Sequence, residues 1–314
     1  MSVVQWITIG AYVFVVAAYA VKVVRALRMP PHLRWELYPI PHEENHRYGG
    51  SYFETPGWWR RPRRISRVRD LARMLKNYLF FGSYLRWDRS YWAGLYTWHI
   101  GFYFILLFHV LSFVSALVAV NTGVAGGAEP AGLGADVFRH IMTVMGATGF
   151  AAGAAGSILL LARRTLDPKM RAYTRPSNYF TYVFFLVVFV SGLVSWYPFD
   201  PSLTSYREFW YSLVQGQYVE VEPALNVHLL LFALFLVYLP FTRSTHYITK
   251  LIAFFSVRWD DTPNSPGSRM RRRIEQALSQ PVGWEAEHVQ PGTRWRDVAQ
   301  NLPDAREGAD RSSK

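Results

Sequence analysis

Residues 226–246 read NVHLLLFALFLVYLPFTRSTH. Almost every position is apolar, yet His228 and His246 bracket the stretch and Pro240 interrupts it. A bilayer core is crossed by about 20 apolar residues in a helix. This segment has that length, and four others match it. The spans are roughly Val3–Leu27, Tyr91–Val120, Val137–Ala162, Tyr179–Tyr197 and Ala224–Phe241, with continuation of the last past His246 left open. The expected fold is therefore all-α: a polytopic membrane protein with five transmembrane helices. The first span ends in Lys22, Arg25 and Arg28 rather than in a small-residue cleavage site, the pattern of a retained anchor.

Loop charge sets the orientation. Residues 28–89 carry thirteen Lys and Arg, and residues 163–175 carry five. Residues 121–135 carry none, and residues 199–222 carry only Arg207 among several carboxylates. Basic loops stay inside, so the N-terminus is expected outside and the C-terminus inside. Four regions follow: 1–27 as the first helix, 28–90 as a basic insert, 91–250 as a four-helix membrane region and 251–314 as a tail. The net charge of +12 is accounted for by topology and by anionic head groups. It gives no support to nucleic-acid binding. The absence of cysteine excludes disulfides, thiolate zinc and cysteine-held iron–sulfur clusters within this chain.

The second span contains WHIGFYFILLFHV, residues 98–110, with His99 and His109. Ionisable side chains inside a membrane default to functional hypotheses, and neutral imidazole is a good iron ligand. The eighteen residues from His228 to His246 are five helical turns, about 27 Å, and keep one face. The ten residues from His99 to His109 are about 15 Å and leave the two about 80° apart. With the spans antiparallel, His109 and His228 lie toward the outer side, His99 and His246 toward the inner. Two histidines at each depth can clamp one haem, giving two stacked b-type haems. The two spacings differ by about 12 Å; a kink at Pro240 is one way to absorb the difference. The competing reading has all four histidines hydrogen-bonding neighbouring helices or sitting at the interface.

His99-Ile100-Gly101 followed by His109, and Pro240-Phe241-Thr242-Arg243 followed by His246, resemble the signatures of the gamma (cytochrome b) subunit of respiratory nitrate reductase. The resemblance covers roughly residues 91–250 and the first span. It implies a five-helix dihaem cytochrome b exchanging electrons between membrane quinone or menaquinone and an inner-face redox partner. It also implies a multi-pass protein of the prokaryotic inner (cytoplasmic) membrane. By the resemblance His109 and His228 ligate the outer haem and His99 and His246 the inner. The insert LRWELYPIPHEENHRYGGSYFE, residues 33–54, looks more like the cytochrome b subunits of transmembrane redox complexes in sulfate reducers. Those pair with a cytoplasmic iron–sulfur subunit similar to heterodisulfide reductase. The chain would then be the quinone-reactive electron-transfer subunit of an oxidoreductase complex. A cytochrome b anchor of a hydrogenase, formate dehydrogenase or nitrate reductase is a near alternative. A haem-free membrane transporter or scaffold is an alternative of another class.

Other features are read in pairs. GATGFAAGAAGS, residues 146–157, is expected to allow close helix approach, and Gly192 and Ser195 are read alike. His140 is either a quinone contact or a head-group contact. Arg243 is either a haem-propionate partner or a lipid-phosphate contact. Trp58, Trp59 and the arginines near them are read as interfacial. His42 and His46 are read as solvated. RMRRRIEQAL, residues 269–278, is expected to form a short helix, and the stretch from Leu302 to be disordered.

Overall fold

The computed structural model describes residues 1–28, 67–122, 133–256, 265–286 and 289–300. The readings of Trp58 and Trp59, of His42 and His46, and of the tail from Leu302 fall outside them. The chain divides into two compact units: Met1–Ala18 with Ile65–Arg243, and Tyr19–Arg64 with Ser244–Lys314.

The described residues are helical, with isolated bridges and no strand. Helix α1 spans Val3–Arg28, α2 Arg67–Phe80, α3 Gly82–Trp87, α4 Arg89–Thr122 and α5 Leu133–Leu166. Then come α6 Pro168–Ala172, α7 Pro176–Trp196, α8 Thr204–Gln215 and α9 Pro223–Tyr238. Five helical stretches are long and apolar enough to cross a membrane: Val3–Arg28, Arg89–Thr122, Asp136–Leu166, Pro176–Trp196 and Pro223–Phe241. They coincide with the five spans expected from hydropathy.

In the first unit α4 packs along α5, α5 along α7 and α7 along α9. Lipid tails are as apolar as leucine, so such helices associate through close packing rather than hydrophobic exclusion. The small residues of 146–157 supply that packing. A Cβ on Gly101 would stand 2.6 Å from Gly153 Cα, and one on Gly156 would stand 2.5 Å from Trp98 Cα. Backbone touches backbone at this crossing, as the pattern of small residues predicts. Gly192 is likewise covered by the ring of Phe150.

Helix starts follow local chemistry. Asp167 caps α6 by accepting from the Lys169 and Met170 amides, and Glu222 caps α9 by accepting from the Ala224 amide at 2.7 Å. Proline occupies the first turn of α6, α7 and α9, where a missing amide proton costs nothing. The loop between α7 and α9 is structured by α8, which hydropathy did not reveal. The buried Asp200 carboxylate accepts from the Thr204 amide at 2.8 Å and the Tyr206 amide at 3.0 Å, satisfying the start of α8. Gly216 closes it at φ 70°.

α8 buries Tyr206, Phe209, Trp210 and Ser212, and packs on α4. The N-terminal end of α1 is tied to the same place. Gln5 is fully buried; its amide donates to Ser212 Oγ at 3.0 Å and to the Gln217 carbonyl at 2.9 Å.

Pro240 ends the last span. The α-helix stops at Tyr238, and two short 3-10 turns, Leu239–Phe241 and Arg243–Thr245, follow. Proline has no amide proton and clashes with the carbonyl four residues back. One continuous helix from His228 to His246 is therefore not formed, and the equal-face argument reaches only as far as Tyr238.

The second unit holds the end of α1, α10 (His246–Ser256), α11 (Arg269–Leu278) and α12 (Trp295–Gln300). The rings of Tyr19 and Tyr247 lie 5.9 Å apart. The helix expected at residues 269–278 is α11, capped by Ser268 Oγ on the Arg271 amide. The chain after it doubles back through bridges Pro281–Arg294 and Ala286–Val289, burying Val282 and Val289.

Candidate functional site

Of the four histidines singled out by spacing, His99, His109 and His228 are buried in the first unit. On α4, His109 donates from Nδ1 to the Ile105 carbonyl at 2.8 Å. A carbonyl oxygen only accepts, so Nδ1 carries the proton and Nε2 keeps its lone pair. His228 on α9 reaches the same state differently. Its Nδ1 lies 2.9 Å from Ser191 Oγ on α7, and that hydroxyl gives its one proton to the Val188 carbonyl at 2.8 Å. Ser191 must then accept from His228, again leaving Nε2 as the lone-pair nitrogen. His99 follows the backbone pattern, with Nδ1 2.7 Å from the Leu95 carbonyl.

His109 and His228 share one aromatic neighbourhood. Phe232, one turn after His228, has its ring centroid 4.1 Å from that of His109 and 6.1 Å from that of His228. Phe150 meets His228 edge-on at 5.3 Å. Face stacking does not compete with ligation, because the Nε2 lone pair lies in the imidazole plane. His99 sits instead among Phe81, Trp98 and Tyr103, with centroids 4.5, 5.1 and 5.9 Å away.

His246 is the first residue of α10, exposed, and belongs to the second unit. His140, on α5, is exposed and donates from Nδ1 to the Asp136 carbonyl at 2.8 Å. Arg243 is exposed at the end of the first unit.

A cavity of about 480 Å³ opens beside His109, lined by residues of α1, α4, α5, α7, α8 and α9. That volume is in the range of sites for small organic cofactors. Its wall is aromatic and aliphatic; Tyr12, His109 and Trp210 are the lining residues with side-chain polar atoms. The Tyr12 hydroxyl and Thr8 Oγ1 are buried without a hydrogen-bond partner, while the Tyr206 hydroxyl has the Trp210 and Ser112 side chains as hydrogen-bonding neighbours. Burial also pushes the Tyr206 hydroxyl well above the usual tyrosine range, which keeps it a donor.

These residues suit haem b. A bis-imidazole site asks the protein for two neutral nitrogens, and the macrocycle supplies the rest. No cluster of three or more His, Cys, Asp or Glu that could hold a bare metal ion occurs among the described residues. The bundle offers buried Nε2 lone pairs, aromatic walls and a cavity. Ser191, Phe232, Tyr12, Tyr206 and Trp210 were not singled out from sequence. Ser191 was discoverable as a polar residue in the fourth span; the others look like ordinary membrane aromatics.

Comparison with known proteins adds one match. The sequence profile of a family described as nitrate reductase gamma subunit matches residues 82–260, a range containing all four histidines. No curated protein and no solved structure matches the chain.

Proposed function

The chain belongs to the nitrate reductase gamma subunit family, and from that premise we propose that it is a dihaem b-type cytochrome. In this reading it links membrane quinone or menaquinone to an iron–sulfur partner similar to heterodisulfide reductase at the cytoplasmic face. The family is one of haem b-binding membrane subunits of oxidoreductases, and the five apolar helices agree with a multi-pass membrane subunit. We place it in a prokaryotic inner membrane by its resemblance to the family, with the N-terminus outside on the strength of the basic loops at 28–89 and 163–175.

The observation that carries the reading is the state of His109 and His228. Both are buried, 6% and 2% exposed, and both donate Nδ1–H to a fixed acceptor. Such second partners orient a ligating imidazole and raise its basicity. His109 with His228 would hold the outer haem, and His99 with His246 the inner. Haem b supplies reversible one-electron iron chemistry when bound. The protein's part is to fix the imidazoles, keep water from the iron and set the depth of each site. Phe150, Phe232 and the aromatic cavity wall do the excluding.

The sulfate-reducer assignment rests on the insert at residues 33–54, and the match to residues 82–260 supports the family rather than that subgroup. The experiment is a dithionite-reduced minus oxidised spectrum of the purified chain with pyridine haemochrome quantification. Two b-type haems per chain, reducible by menaquinol, are expected. A well-folded preparation without haem would overturn the reading and favour a haem-free transporter or scaffold. Copurification with a cysteine-rich iron–sulfur subunit tests the partner.

A further inference from the structure

Helix α2 leaves an apolar stripe uncovered. Its sequence, RVRDLARMLKNYLF, places Val68, Leu71, Leu75 and Leu79 at intervals of three and four residues, which is one helix face. All four are exposed, between 44% and 79%. Met74 is buried and Tyr78 half-buried, so one edge of that face turns onto protein and the rest does not. The same helix sequence holds Arg67, Arg69, Arg73 and Lys76 against Asp70. That many charges keep a helix out of a bilayer core. Its C-terminal end is nevertheless fastened to a membrane span. The last carbonyls of a helix lack intrahelical partners. Here the Tyr78 carbonyl accepts from Tyr103 Oη at 3.3 Å and the Phe80 carbonyl from Trp92 Nε1 at 2.9 Å, both on α4. Within two turns of Tyr103, α4 exposes Leu106, Leu107 and Val110, side chains that meet acyl chains in a span. Helix α2 thus ends at the depth where lipid begins.

We propose that α2 is an interfacial helix seated on the inner leaflet, its Val68–Leu71–Leu75–Leu79 stripe toward the acyl chains and its charge balanced by anionic head groups. The inference rests on the basic loop 28–89 lying inside and does not depend on the haem reading. A helix with one apolar face and an excess of Lys and Arg settles in the interface plane, its apolar side about 5–10 Å into the head-group boundary. Cationic residues at that depth are drawn to the anionic lipids of the cytoplasmic leaflet. A soluble protein covering Leu79 would have to reach the level at which α4 already exposes Leu106 and Leu107, whereas lipid is there in any case. Seated in this way, α2 holds Phe81, the residue that follows it, with its ring 4.5 Å from that of His99.

The chain has no cysteine, so each introduced cysteine is a single reporter. Leu71→Cys, Leu75→Cys, Leu79→Cys, Lys76→Cys and Asn77→Cys are made in the full chain, spin-labelled and placed in nanodiscs of phosphatidylglycerol and phosphatidylcholine in equal parts. All five positions are exposed, and each variant is first shown to melt like wild type; if one does not, the remaining leucine positions give the same readout. Collision with oxygen reports lipid, and collision with a water-soluble nickel chelate reports solvent. Labels at 71, 75 and 79 are expected to meet oxygen and exclude nickel, and labels at 76 and 77 the reverse. Nickel reaching all five alike would overturn the proposal and leave the stripe as a surface for a soluble partner. Exclusion of both probes at the leucine positions would also overturn it, since protein, such as a second copy of the chain, would then cover them. Replacing phosphatidylglycerol with phosphatidylcholine should raise nickel contact at position 75; an unchanged value would overturn the choice of anionic lipid.

Discussion

The imidazole of His109 lies almost flat on the ring of Phe232, with centroids 4.1 Å apart and planes within 10°. The Ile105 carbonyl fixes the same imidazole at its other nitrogen. Stacking holds the plane, and the hydrogen bond holds the tautomer. What remains free is Nε2, the atom a haem iron needs. Phe232 shares its helix face with His228, one turn earlier, so α4 and α9 meet at His109, Phe232 and His228.

Replacing either member of a bis-histidine pair should remove one haem. His109→Ala and His228→Ala are each expected to lower haem from two to one per chain by pyridine haemochrome. The double variant should lose no more than either single one, because the pair acts as a unit. Retention of both haems in His109→Ala would sink the ligand assignment.

Ser191→Ala leaves His228 in place but deletes the acceptor for its Nδ1–H, 2.9 Å away. Loss of such an outer partner typically weakens metal binding about 10–100-fold. Competitive transfer of haem to apomyoglobin should therefore run faster from the variant. A Ser191→Thr chain, which restores the hydroxyl, should recover. Equal transfer rates in all three would show that the hydroxyl does not tune the ligand.

Much of this was legible in sequence because a bilayer imposes its own ruler. Length and hydropathy alone placed five spans, and the small residues of 146–157 marked α5 for close packing, but that α4 meets it at Gly101, Gly153 and Gly156 came only with the fold. Three of the four chosen histidines are buried. The helix break at Pro240 was open to either a kink or an end, and the chain chose the end, since the 3-10 turns that follow restart the helix only at His246. α8 was missed because its apolar residues, Tyr206, Phe209 and Trp210, are spread at helical spacing through a polar loop. Ser191 and Gln5 were missed because one polar residue in a span says nothing about its partner until the fold supplies Ser212 or His228.

The crossing of α4 and α5 should tolerate no side chain. An added methyl at Gly101 would press on the backbone of Gly153, which has no rotamer to move. Overpacking of this kind costs about 1–3 kcal/mol, so Gly101→Ala should lower the melting temperature in detergent and the yield of haem-replete chain. Gly10→Ala is the control: nothing lies within 4 Å of its added methyl. It should leave stability within about 0.5 kcal/mol of wild type. Equal behaviour of the two would mean the crossing is looser than described.

Acid should loosen the turn between α3 and α4. The Asp88 carboxylate accepts from the Tyr91 amide at 3.0 Å, from Ser90 Oγ at 2.9 Å and from Arg163 at 3.0 Å. The Tyr91 amide contributes most, and these partners hold the carboxyl below its ordinary value of 3.8. A carboxyl depressed in the folded state stabilises that state above its unfolded pKa, and the benefit is lost as pH falls through the folded pKa. The side chain is 37% exposed, so the effect is screened and modest. Thermal unfolding of the detergent-solubilised chain, followed from about pH 6 to about pH 2.5, should show a steeper acid-side decline in wild type than in Asp88→Asn. At neutral pH the variant should melt lower than wild type, since an amide loses the charged contact to Arg163. Parallel melting curves across the whole range would show that Asp88 contributes nothing ionic to this end of the bundle.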